Sequence, residues 1–441
     1  MRLAIASDLH LGDTTGRLVR QVGDGWEPGP AYPQFREFAG ADNDYLVLLG
    51  DIFDLSVSDF DGAYGAAEAF FRAVHRDGLA RQVIYVPGNH DFSVWNLLSQ
   101  EINVIKQVEE DDPIKTRMAK PGVLLEAPAP GQRELTLADA NPDPVTGRYG
   151  GLFLDHLATD GDDGAGLPLT FNVAFPNLYF VPAEGPPVLM THGHFFERYW
   201  SLVGEFALAV AGPDLKVERP GRLDIEEWCR VNCPLNELAS ASLGQTGPLV
   251  DVIHRVQKEV NHGRTPHTRR YVRRTAGFLR AELGGGPLTR LLIGFALKLL
   301  ERFAIRKLTR RTSARGHGSR FFRQPDVQAR IAQYLDACRF EMASLPVLAG
   351  RPAPQTLLCG HTHHAIGPDA AERVPLAGGA SIRVLNAGAW LPPDDARDPF
   401  PGAVFRYRSG EGFTYFGPPA PPEAANGAGG DAGMSDAGIA R

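Results

Sequence analysis

Five short polar motifs, each closing an apolar run, constrain this chain more than any other feature. They are Asp8-Leu9-His10 after LAIAS, Gly50-Asp51-Ile52-Phe53-Asp54 after YLVLL, and Gly88-Asn89-His90-Asp91 after VIYVP. His192-Gly193-His194 follows PVLMT, and Gly360-His361-Thr362-His363 follows TLLC. Short apolar runs rich in β-formers and closed by polar residues read as buried strands. In open α/β sheets, functional groups collect at the carboxyl ends of such strands. Five strand ends therefore deliver Asp, Asn and His toward one place, the arrangement expected of a two-metal hydrolytic centre.

The residue types support that expectation. In extended backbone, residues two apart project to the same side. Asp8 with His10, and His361 with His363, would each present two ligands to one locus. Asp51 can bridge two cations through its two carboxylate oxygens, Asn89 offers an amide oxygen and His192 an imidazole. Carboxylate, amide and imidazole without thiolate suit manganese, iron or zinc better than copper(I) or an iron–sulfur cluster.

Composition sets the frame. At 441 residues, with 43% hydrophobic and 22% charged side chains, the chain reads as an ordinary globular protein with a large core. Four cysteines, Cys229, Cys233, Cys338 and Cys359, are too few to suggest a disulfide framework and point to a reducing compartment. The sequence passes from Met1 straight into the first motif, with no signal-peptide pattern ahead of it. No apolar run reaches the roughly 18 residues of a membrane span. A cytoplasmic location is expected.

Strand-like and helix-like segments alternate over residues 1–95, with strands at 2–7 and 82–87 and a helix near 66–76, as in an α/β layered core. Residues 120–190 hold five β-like runs, GVLLE, GLFLDH, LTFNV, LYFVP and PVLMT, which could complete a second sheet. The pattern turns helical over 195–350 and returns to strands at TLLCGHTHH. The domain organisation expected is a core of residues 1–194 and 351–416 with a helical cap, 195–350, inserted before the fifth motif. The Pro-, Ala- and Gly-rich tail, 417–441, holds too few large apolar groups to offset ordering entropy and is expected to be disordered.

The series DxH, GDxxD, GNHD, HGH and GHTH, in this order, resembles the calcineurin-like metallophosphoesterase superfamily across residues 1–95, 185–195 and 355–390. The resemblance implies an α/β fold, a layered sandwich of two mixed β-sheets flanked by helices. It implies that Asp8, His10, Asp51 and His363 hold one divalent cation, and that Asp51, Asn89, His192 and His361 hold a second. Manganese is the first choice, with iron or zinc as alternatives. Paired ions in such sites sit about 3.5–4 Å apart and clamp the attacking and leaving oxygens of an in-line displacement. The implied nucleophile is a metal-bridging hydroxide. His90 would protonate the leaving group or stabilise phosphoryl charge, with Asp91 orienting its ring and Asp54 fixing a ligand imidazole. His194 either touches substrate or closes a turn.

Residues 264–323 carry sixteen Lys or Arg against only Glu282 and Glu301, a block of +14 in a chain whose net charge is −7. Within it Leu288, Leu292, Phe295, Leu299 and Phe303 share a helical face, and Arg290, Lys298 and Arg302 lie on another. Such a helix can pack as a cap or lie on an anionic membrane surface. The thin aromatic content argues against single-stranded nucleic acid. The ending Asn386-Ala-Gly-Ala-Trp390 and the large insert resemble the bacterial UDP-2,3-diacylglucosamine pyrophosphohydrolase-like branch. This chain differs from it in having GDIFD, GNHD and HGH. The resulting expectation is a phosphoester hydrolase acting on a phosphorylated small molecule, including a lipid-linked nucleotide pyrophosphate, with the protein peripheral on the inner face of the membrane. The alternatives are a phosphodiesterase or nuclease on nucleic acid or cyclic nucleotides, and a non-catalytic metal-binding scaffold.

Overall fold

A computed structural model describes residues 1–137, 169–211, 223–240, 321–392 and 402–418, apart from a few single positions, with parts of 151–157 and three residues near 270. In the N-terminal half the strands are β1 (Arg2–Ala6), β2 (Val19–Val22), β3 (Gly25–Pro28), β4 (Asn43–Leu48), β5 (Ala80–Tyr85), β6 (Gly122–Leu125) and β7 (Leu135–Leu137). They continue as β8 (Thr170–Val173), β9 (Asn177–Val181), β10 (Val188–Thr191), β11 (Thr356–Cys359), β12 (Ala365–Ile366), β13 (Glu372–Pro375), β14 (Ser381–Ala387), β15 (Val404–Arg408) and β16 (Gly412–Phe416).

Two mixed sheets carry the fold. The first runs β16-β15-β1-β4-β5-β8 and the second β12-β14-β11-β10-β9-β6-β7, with β13 also on β14. β1, β4, β5 and β8 are mutually parallel, and so are β10, β11 and β14. All five motifs therefore leave the carboxyl ends of parallel strands, three from one sheet and two from the other.

Alternation within each strand divides the core. Leu3, Ile5, Val47, Leu49, Ile84 and Val86 meet Leu178, Phe180, Met190 and Leu358 between the sheets. Ala4, Ala6, Leu46, Leu48 and Val83 face the other way, into the apolar cluster shared with the helices Tyr32–Ala39 and Phe60–Arg76. Burial on both faces is why these strands read as continuous apolar runs instead of alternating ones.

Three of the five β-like runs in 120–190 join the second sheet, as β6, β9 and β10. LTFNV instead extends the first sheet as β8, parallel to β5. GLFLDH departs further, because Gly151, Phe153, Leu154 and Leu157 are helical. Leu154 and Leu157, three apart, are both buried, and Phe153 packs against Phe53, Phe60 and Tyr64. A short apolar run fits either period, and here its anchoring side chains recur at helical spacing.

Within 195–350, the helices Arg198–Ala211, Ile225–Ser240 and Pro325–Ser344 are described. Ile225, Trp228 and Cys229 of the second, and Ile331, Tyr334 and Cys338 of the third, join the same apolar cluster as Trp95 and Phe175. All four cysteines are free. The amphipathic segment and most of the basic block lie outside the described residues, as does the tail beyond Pro418. Among the described residues, no helix is long and apolar enough to cross a membrane.

Candidate metal centre

The loops after β1, β4 and β5 are locked to one another by backbone hydrogen bonds. Asp8 N–H donates to Gly50 O at 3.0 Å, His10 N–H to Asp51 O at 2.9 Å and Leu11 N–H to Ile52 O at 2.7 Å. Within the second sheet, Gly360 N–H donates to His192 O at 2.9 Å, and across the sheets the backbone N–H of His361 reaches both Asp8 carboxylate oxygens at 3.0 and 3.2 Å. The five motifs form one rigid floor.

The backbone of that floor is unusual. Seven non-glycine residues have positive φ among those described, and five of them are Asp8, His10, Asp51, His361 and His363, at 49–69°. The left-handed region is costly for most residues, and Asp, Asn and His occupy it more readily than others. The Asp-x-His and His-x-His pairs thus converge from tight turns, where extended backbone was expected. Strain of this kind clusters at functional sites, held by surrounding structure.

Glycine is required where the turns close. A Cβ on Gly88 would overlap the Asp51 carboxylate, and one on Gly360 would overlap the Ser7 hydroxyl and the Asp8 carboxylate. Asn386 ties the last turn down, donating from Nδ2 to Gly360 O and accepting from Gly388 N–H at 2.8 Å. Trp390 N–H donates to Asp8 O at 3.0 Å, so the Asn386–Trp390 segment braces the first and last motifs together.

Two ligand clusters result, sharing Asp51. The first brings together Asp8, His10, Asp51 and His363. His10 Nε2 lies 3.1 Å from His363 Nε2, which lies 3.4 Å from Asp8 Oδ1. The second brings together Asp51, His192 and His361. His192 Nε2 lies 3.3 Å from Asp51 Oδ2 and 3.0 Å from Asn89 Oδ1. All seven metal-ligand candidates from the sequence are therefore in one place.

The donor chemistry of both clusters fits divalent cations. His192 donates Nδ1–H to Leu49 O at 2.8 Å, which turns its Nε2 lone pair onto oxygens of Asp51 and Asn89. His10 donates Nδ1–H to Asp54 Oδ2 at 2.8 Å, which turns its Nε2 lone pair toward His363. Buried lone pairs pointed at one another need a cation or an added proton between them. A carboxylate or carbonyl on the far imidazole nitrogen is the usual way a metal-binding histidine is oriented.

His90 is held from two sides. Its Nδ1 lies 2.9 Å from Asp54 Oδ1 and 2.7 Å from Ser56 Oγ, and the Ser56 hydroxyl also donates to Asp54 at 2.7 Å. Its Nε2 faces the centre, 4.0 Å from Asp51 Oδ2. The close association of His10, Asp54 and His90 is thus a carboxylate linking two imidazoles. Burial disfavours the charged His90 ring, but the Asp54 and Asp51 carboxylates outweigh it and push the ring up to about 10. Burial likewise opposes charge on Asp51 and Asp54, yet the neighbouring imidazoles hold both carboxyls well below the usual carboxylate range.

Asp91 has a different task from the one expected of it. Its carboxylate accepts from Ile52 N–H at 2.7 Å, from Gly88 N–H at 2.5 Å and from the Tyr85 hydroxyl. It braces the GNHD turn, and the ring of His90 is oriented by Asp54 and Ser56 instead. Burial, followed by the Asp51 charge, pushes Asp91 up to about 6. His194 is buried, with Nε2 accepting from Asn236 Nδ2–H at 3.1 Å and its ring 5.4 Å from that of His192. Burial, then His192 and His361, hold it well below the usual imidazole range, so it stays neutral behind the ligands.

The sequence reading did not single out Ser56 or Glu197. Ser56 stands two residues after Asp54, the spacing at which a hydroxyl and a backbone N–H cap an Asp side chain. Glu197 Oε2 lies 3.2 Å from His361 Nε2, and its position in His192-Gly193-His194-Phe195-Phe196-Glu197 was the available signal. Most of the centre is buried, but His363 is 42% exposed and His90 20%, so the open edge lies beside these two rings.

No curated protein matches the sequence. The family model of the calcineurin-like phosphoesterases matches residues 1–194, ending at His194. The fifth motif lies beyond the match and reaches the same centre through the parallel pairing of β11 with β10. The segment 1–194 therefore matches the calcineurin-like phosphoesterase family model, and with the fifth motif its strand ends converge on two Asp/His clusters.

Proposed function

We propose that the chain is a dinuclear metal-dependent phosphoester hydrolase acting on a phosphorylated small molecule. One observation carries this reading: Asp51 is shared by two ligand clusters, and an imidazole held by Asp54 stands at their open edge. Asp8, His10, Asp51 and His363 would hold one divalent cation, and Asp51, Asn89, His192 and His361 the other, with manganese the first choice and iron or zinc the alternatives. When bound, such a pair supplies Lewis acidity to phosphoryl oxygens and lowers the pKa of water from about 15.7 to about 7.

The chain's own residues do the rest. In the metal-free protein burial is outweighed by the Asp54 and Asp51 carboxylates, which push His90 up to about 10, and the ring presents Nε2 toward the centre. It would donate a proton to the leaving oxygen, while Asp54 and Ser56 fix the ring and stabilise its charge. The left-handed turns at Asp8, His10, Asp51, His361 and His363 hold the ligands before substrate arrives.

The substrate class rests on the sequence. The +14 block at 264–323 suits an anionic partner, and its amphipathic pattern favours a lipid-linked phosphate or pyrophosphate reached at the cytoplasmic face of a membrane. A panel of phosphomonoesters, phosphodiesters, nucleotide sugars and single-stranded DNA, incubated with Mn²⁺-loaded protein, tests the proposal. Cleavage of a pyrophosphate or small ester, and not DNA, is expected. Hydrolysis of DNA alone would favour a nuclease, and hydrolysis of none would leave a metal-binding scaffold.

A further inference from the structure

The carboxylate of Glu197 meets the imidazole of His361 from outside the ligand clusters. Glu197 follows the short turn His194–Phe196 and precedes the helix Arg198–Ala211, at the start of the block that separates the fourth motif from the fifth. Its Oε2 lies 3.2 Å from His361 Nε2. Glu197 is not one of the mutually close ligand atoms around Asp51, His192 and His361.

An ionised carboxylate only accepts, so a neutral imidazole bonded to it must carry its hydrogen on the nitrogen that faces it. We infer that Glu197 is a positioning residue that holds His361 in the Nε2–H tautomer and so turns Nδ1, with its lone pair, to the cluster of Asp51 and His192. The inference deepens the two-cation reading and rests on it. It completes a pattern in this centre. His10 is fixed by Asp54, His192 by the Leu49 carbonyl, and His361 by Glu197, each through the nitrogen that is not offered as ligand. The first two anchors come from the core around the GDIFD motif, but the third comes from the start of the inserted block. A later segment of that block also approaches this residue, with the Phe321 ring 6.5 Å from that of His361. Among the described residues, the block thereby reaches His361, one ligand of one proposed cation.

The test is Mn²⁺ binding to the full-length metal-free protein, followed by calorimetry and by electron paramagnetic resonance, for the parent, Glu197→Ala and Glu197→Gln. Loss of an orienting partner typically weakens metal binding about 10–100-fold. The expected result is that Glu197→Ala weakens one of two sites by that factor and leaves the other unchanged. Glu197→Gln keeps an amide oxygen to accept from Nε2–H and should bind within a few-fold of the parent. Melting of the two metal-free variants should match, which separates orientation from folding. A parent that binds two ions, with Glu197→Ala binding both as tightly, overturns the inference alone. Glu197→Gln as damaged as Glu197→Ala also overturns it, because the charge would then be acting as a ligand. A parent that binds fewer than two ions contradicts the two-cation reading, and the inference falls with it.

Discussion

Asp54 holds the His90 ring through one carboxylate oxygen, 2.9 Å from Nδ1, and keeps its other oxygen for His10, 2.8 Å away. One side chain thereby orients both the imidazole proposed as proton donor and an imidazole proposed as metal ligand. Asp54→Asn should therefore damage two functions. General acid catalysis contributes about 10²–10⁴-fold, and a lost orienting partner about 10–100-fold in metal affinity. Steady-state kinetics at saturating Mn²⁺, beside a binding isotherm, should show kcat reduced even where both ions are bound. A loss cured fully by added Mn²⁺ would contradict the role assigned to His90.

His90→Ala should separate chemistry from binding. Its Nε2 belongs to neither ligand cluster that shares Asp51, so Mn²⁺ binding should persist within a few-fold while kcat falls about 10²–10⁴-fold. The loss should be largest for substrates with poor leaving groups and small for an aryl diester whose leaving oxygen needs no proton. Equal losses for both would argue that the ring stabilises phosphoryl charge instead.

The metal-free protein should lose stability as pH rises. Burial opposes charge on His192 and His90, but Asp51 and Asp54 outweigh it and push these rings to about 9 and about 10. A group whose pKa is raised by folding contributes stability fully present below its unfolded value, about 6.5, and lost as pH climbs through the folded value. Melting temperature without metal should therefore fall between about pH 6.5 and 10. With Mn²⁺ in place of the proton on His192 the slope should shrink. Parallel curves with and without metal would contradict the cluster assignment.

Gly360→Ala should strike the first and last motifs together. The added methyl would overlap the Ser7 hydroxyl and the Asp8 carboxylate, and overpacking of this kind costs about 1–3 kcal/mol. Urea unfolding should register that cost, and Mn²⁺ affinity should drop at the cluster holding Asp8 and His363. Unchanged unfolding and unchanged affinity would show that the turn can relax.

Full-length protein should co-sediment with anionic liposomes at low salt and be released as salt rises, if the +14 block meets a membrane. Replacing Arg306, Lys307, Arg310 and Arg311 with Glu should abolish the binding. Absence of binding by the parent at low salt would remove the membrane from the proposal.

The strand ends and the seven ligand candidates were legible because each motif sits where an apolar run stops. That signal survives without tertiary information. Asp91 was misread for a physical reason: adjacency to His90 in sequence suggested contact, but the turn points its carboxylate back onto Ile52, Gly88 and Tyr85. The ring's real partners, Asp54 and Ser56, stand about thirty-five positions earlier and meet it through the pairing of β4 with β5. Glu197 stands five residues after His192, but its pairing with His361 is not legible in sequence, since that residue arrives from a strand 164 positions later. GLFLDH failed on period, because a six-residue apolar run is too short to distinguish strand from helix.

Electron paramagnetic resonance of the metal-free protein titrated with Mn²⁺ reads out whether Asp51 bridges two cations. Two ions per chain with a spin-coupled signal are expected, and Asp51→Asn should lose the coupling together with hydrolysis of an aryl phosphate diester. Two uncoupled ions in the parent, or an Asp51→Asn variant as active as the parent, would contradict the bridge.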